Sequence, residues 1–102
     1  MRPRFLVTPP GDETPESWLT RHDLTPKILP VWPESQRMAL VCVEEIYGSE
    51  EALAFVITSR AELDAAASPS TTSLRRLFFQ VPKFELLQDS ICLGLTAESW
   101  EK

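Results

Sequence analysis

The sequence predicts an α+β domain with a mostly antiparallel sheet of four to five strands, two or three short helices and a proline-rich N-terminal arm. Two apolar, β-rich runs, residues 38–43 and 52–57, flank Tyr47-Gly48-Ser49-Glu50 in the manner of a hairpin. Of the nine prolines, only Pro69 and Pro82 lie beyond residue 33, so the first third has little room for regular structure. The chain has 102 residues, 43% of them apolar, which suits a single domain over residues 1–102: a proline-rich part (1–37) and a sheet core (38–102). A chain of this size buries roughly 65% of its unfolded surface, enough for one core without a disulfide or a structural metal.

Taken in order, residues 4–8 read as a short strand, and Pro9-Pro10-Gly11-Asp12 then forces a turn. Thr14 is placed to cap a helix with Pro15 at its first position and Glu16 in its first turn. That helix runs through about His22, and its apolar stripe is thin, chiefly Trp18 and Leu19. Residues 24–33 contain Pro26, Pro30 and Pro33, so they are expected to be extended and polyproline-like, an arm laid over a core built elsewhere.

A two-residue loop at Gly48-Ser49 would pair Cys42 with Phe55 and Leu40 with Ile57. One face of the ribbon then carries Leu40, Cys42, Ile46, Leu53, Phe55 and Ile57, and the other Val41, Val43, Ala52, Ala54 and Val56. The face with the larger side chains is the expected main core. The smaller face would let a helix or a second subunit approach closely. A single helix over residues 49–67 is the competing assignment, but six successive apolar residues would wrap all its sides and Phe55-Val56-Ile57-Thr58 favours strand.

Ser59-Arg60-Ala61-Glu62 is a capping-box pattern that opens a helix to about Ala67, followed by a polar loop over 69–73. Residues 74–81 alternate as a strand with Leu77, Phe79 and Val81 on one face and Arg76, Phe78 and Gln80 on the other, and Pro82 stops it. Residues 83–88 fit either a helical turn or a strand. Residues 89–96 read as a further short strand around Ile91, Cys92, Leu93 and Leu95, and 96–100 as the start of a last helical turn.

Fifteen acids against ten bases give a net charge of −5, and the largest basic cluster is the pair Arg75-Arg76. Phosphate backbones need a basic patch, so nucleic-acid partners are not expected. The acidic group Glu44, Glu45, Glu50 and Glu51 is too local to imitate the charge of DNA, and at a hairpin tip it reads as a solvated surface. No apolar run approaches the roughly 18–20 residues of a membrane span, and the N-terminus holds no secretory core, so a cytoplasmic protein without a membrane partner is expected. Cys42 and Cys92 both sit among apolar neighbours, the setting of buried free thiols.

Chemistry-bearing constellations are sparse. His22 is the lone histidine, and Asp23 beside it on a helix would point about 100° away. One histidine and two isolated cysteines fall short of a zinc set, and Gly11, Gly48 and Gly94 form no phosphate-cradling loop, so no metal and no cofactor are expected. Catalysis is therefore not the expected role, with a small enzyme using His22 the least favoured reading. Trp32, Tyr47, Arg76 and Phe78 are the candidate partner contacts, since Trp, Tyr and Arg are enriched at interface hot spots. The opposing reading has Trp32 and Phe78 packed beneath the arm or a helix. The expected function is that of a small acidic protein-interaction module, an inhibitor, immunity or accessory factor, binding another protein or itself as a homodimer. The alternative is a small-molecule carrier.

Overall fold

Alternating apolar residues build a four-stranded antiparallel sheet in the order β1-β3-β2-β4. In the computed structural model, which describes residues 5–22, 25–46, 52–67, 74–88, 91–92 and 94–100, these strands are β1 (Phe5–Leu6), β2 (Met38–Ile46), β3 (Ala52–Ile57) and β4 (Leu74–Pro82). Three helices join them: α1 (Pro15–Thr20), α2 (Arg60–Ala67) and α3 (Lys83–Gln88), with a 3₁₀ turn at Ala97–Ser99. The chain is thus α+β.

The register of the central ribbon is the expected one, with Leu40 opposite Ile57 and Cys42 opposite Phe55. The turn at Gly48-Ser49 and the polar loop 69–73 lie outside the described residues. Because the pleat alternates, Leu6, Phe55, Cys42 and Phe78 form one row across all four strands, and Phe5, Val56, Val41 and Phe79 form a row facing the other way.

The main core sits on the small-residue face, contrary to expectation. Val41, Val43, Ala54 and Val56 pack there with Phe79, Trp18 and Leu19 of α1, Leu86 of α3, and Ile91, Cys92, Leu95 and Trp100. Valine and alanine leave a flat surface on which two helices and the final segment settle closely. The larger-residue face holds a second, smaller cluster of Leu40, Cys42, Phe55, Ile57 and Phe78, covered by Leu63 and Ala66 of α2 and by Trp32. Both sides of the ribbon thus carry a layer within one chain, while Leu6 and Leu53 on the larger-residue face stay 49% and 54% exposed.

Local chemistry sets the helix ends. The Thr14 hydroxyl accepts the Ser17 N–H at 3.2 Å and Pro15 occupies the first helical position. At α2 the Ser59 hydroxyl accepts the Glu62 N–H at 3.2 Å, while the Glu62 carboxylate takes the N–H and hydroxyl of Thr58. That cap starts a separate helix two residues after β3, which excludes the single long helix.

The expected strand over 89–96 is corrected. Its described residues form no strand, because Gly94 adopts a φ of +82° and the Leu95 N–H turns back to the Cys92 carbonyl at 3.4 Å. Ile91, Cys92 and Leu95 instead plug the main core as a loop, held to the continuation of β1 by the Thr8 N–H donating to the Ile91 carbonyl. Cys42 and Cys92 are not in a disulfide and sit in clusters on opposite faces of the sheet, and burial pushes the Cys92 thiol up to about 11.

Candidate functional site

Residues 25–37 carry the chain from the first helix to β2 without a regular element of their own. Lys27 anchors this segment by a two-way backbone bridge: its N–H donates to the Phe78 carbonyl at 3.1 Å and its carbonyl accepts the Phe78 N–H at 2.8 Å. Past that anchor, Ile28 and Leu29 are each 78% exposed and Val31 is 54% exposed. Prolines 30 and 33 interrupt any ladder that would bury them. Trp32 then turns inward onto the second cluster, with the Arg60 guanidinium 5.6 Å from its ring centre.

A second aromatic–cation pair forms at the same end of the sheet. Pro82 closes β4, and the Lys83 N–H that follows donates to the Arg37 carbonyl at 2.8 Å, which fixes the start of α3 beside the start of β2. The 3₁₀ turn at Ala97–Ser99 brings Trp100 into the main core, where the Lys83 Nζ stands 4.7 Å from its ring centre. Between the two pairs lies a cleft of about 280 Å³. Trp32 and Arg60 come from one layer and Lys83 and Trp100 from the other, with Met38, Leu40 and Ile57 among the apolar lining.

Trp100 is only 8% exposed, and its indole Nε1 is the one buried side-chain nitrogen or oxygen without a hydrogen-bond partner among the described residues. Leaving such a donor unpaired costs about 1–3 kcal/mol. Lys83 likewise forms no ion pair among the described residues, although the chain is acidic overall.

Of the residues singled out from sequence, only Trp32 lines this cleft. Phe78 is 3% exposed, packed in the second cluster beneath the Lys27 segment and α2, so it presents no surface to a partner. Arg76 ties elements together: its Nε donates to Glu44 at 3.3 Å and its Nη1 to the Ala66 carbonyl at 3.3 Å, which holds the end of α2 to the sheet. Tyr47 lies outside the described residues. His22 stacks at 57° on Trp18, with ring centres 4.6 Å apart. No group of three or more His, Cys, Asp or Glu side chains among the described residues is arranged to hold a metal ion.

Sequence reasoning missed Arg60, Lys83 and Trp100, whose positions are far apart in the chain and meet only through the fold. The exposed run Ile28-Leu29-Pro30-Val31 did carry a signal, apolar side chains in a stretch whose prolines prevent pairing. No helix among the described residues is long and apolar enough to cross a membrane. No protein-family model, no curated protein and no solved structure matches the chain.

Proposed function

We propose that the chain is a non-catalytic protein-interaction module that binds an extended segment of another protein along residues 28–31 and into the adjoining cleft. The observation that carries this reading is the exposure of Ile28, Leu29 and Val31 within four residues, directly before cleft-lining Trp32. Among the described residues the other exposed large apolar side chains, Leu6, Leu53, Phe84 and Leu87, are divided among β1, β3 and α3. An apolar run held by a backbone bridge and stiffened by proline presents its contacts already ordered, which lowers the entropy lost on binding. Charge complementarity selects the partner. Arg60 and Lys83 stand on the cleft with Glu34 as the acidic lining residue, so the cleft itself is net basic in a chain whose net charge is −5 and favours a segment that joins apolar side chains to an anionic group.

The carrier reading has less support. A cleft of about 280 Å³ stands at the lower edge of the roughly 300–1,000 Å³ in which small ligands are usually enclosed, room for only a small one. An inhibitory, immunity or accessory role fits such a module, as would a partner that is a second copy presenting a suitable segment.

A random peptide library presented with free C-termini and selected on the purified chain tests the reading. Enriched peptides are expected to combine apolar and anionic groups, and to bind at least about tenfold more weakly to the double variant Leu29→Ser, Val31→Ser. Absence of enrichment, or binders indifferent to those two substitutions, contradicts it.

A further inference from the structure

We infer that the partner segment is the chain's own residues 47–51, presented by a second copy, so that the connection between β2 and β3 of one molecule seats on the exposed run and cleft of the next. This deepens the interaction reading above and rests on it, by naming the segment that the surface takes. Composition and charge carry it. Residues 47–51 read Tyr-Gly-Ser-Glu-Glu, an aromatic side chain joined within five residues to two carboxylates, with no base among them. The surface opposite offers Ile28, Leu29 and Val31, each more than half exposed, beside a cleft lined by two bases, Arg60 and Lys83, against one acid, Glu34. The other stretches of four or more residues outside the described ones do not answer that charge: 1–4 carry two arginines and 68–73 carry none of either sign.

Topology puts the segment out of reach of its own cleft. Ile46 ends β2, Ala52 begins β3, and Glu45 stands opposite Ala52 in the ladder, so residues 47–51 connect the two strands at that end of the sheet. The cleft lies at the other end, where Met38 and Leu40 of β2 and Ile57 of β3 line it. The nine residues of β2 separate the two ends by about 27 Å. Five residues tied to the sheet at both ends reach out by about 10 Å at most. The contact therefore forms only between molecules. A segment at one end and its site at the other meet head to tail, a contact that propagates along a row of copies instead of closing on a two-fold axis.

Sedimentation and light scattering of the full chain test it. The average mass is expected to rise with concentration from 11.5 kDa through two chains and beyond. Two variants block the contact from either side. Tyr47→Ser, Glu50→Lys, Glu51→Lys changes the segment alone, and Leu29→Ser, Val31→Ser changes the exposed run alone. Each by itself is expected to raise the concentration at which assembly begins at least about tenfold. Mixed in equal amounts, the two restore one contact, because the intact segment of the second variant meets the intact surface of the first. Neither end of that pair can extend, so the mixture is expected to give a discrete two-chain species, which also shows that both variants fold. A monomer at every concentration up to millimolar, oligomers that survive either variant, or a mixture without the two-chain species each overturn the inference. Library peptides that depend on Leu29 and Val31, bound by a chain that stays monomeric, would refute it and leave the interaction reading standing. A monomeric chain that selects no such peptides would refute both.

Discussion

Glu16 on α1 hydrogen-bonds the Glu45 carboxylate on β2, and this contact, together with partial burial and the repulsion of Glu45, raises the Glu16 pKa above its ordinary 4.5, with Arg75 opposing the shift. A raised folded-state value means that the native chain binds the proton more tightly than the unfolded chain. The contribution of Glu16 to stability is therefore full below about 4.5 and is lost as pH rises through the folded value. Replacing Glu16 with Gln keeps a hydrogen-bonding side chain and removes the repulsion. Urea unfolding at pH 7 should show the variant more stable by less than about 1 kcal/mol, the scale of partly exposed charge pairs, and the gain should shrink toward pH 4.5. A gain that grows on acidification contradicts the assignment. At this scale sequence reading succeeded where a residue's own neighbours decide its role, as with Thr14 and Pro15 at the start of α1. It failed for Phe78, whose polar neighbours on the strand face hide the cover supplied by Lys27 and α2.

Strands and helices show the same division between local and distant causes. The β2–β3 register follows from alternation and was readable, since a slip by one residue would turn every apolar side chain to the wrong face. Which face becomes the main core was not readable, because that depends on where α1, α3 and residues 91–100 settle. The α2 cap is local again, and its worth can be measured. Ser59→Ala removes the hydroxyl that accepts the Glu62 N–H and is expected to cost about 1 kcal/mol in denaturant unfolding. A cost below a few tenths of a kcal/mol would show that the Thr58–Glu62 contacts hold the helix start unaided. The strand expected over 89–96 failed for a specific reason. Its apolar residues match strand and core loop equally well, and only the positive φ of Gly94 separates the two.

For the molecule as a whole, layers on both faces close the sheet and meet at one end, where the cleft forms. Its cations and indoles come from residues 32, 60, 83 and 100, so no spacing rule could have gathered them. The exposed run 28–31 lies at the edge of that end, and recognition by this combined surface is the central claim. Backbone hydrogen exchange of the chain, with and without the tightest peptide from the selection, tests it most directly. Slowed exchange should be confined to residues 27–40, 57–60 and 83, and to 94–100 around Trp100, with the rest of the sheet unchanged. Protection centred on α1 and His22, or spread evenly with no excess at residues 27–40, would contradict the account.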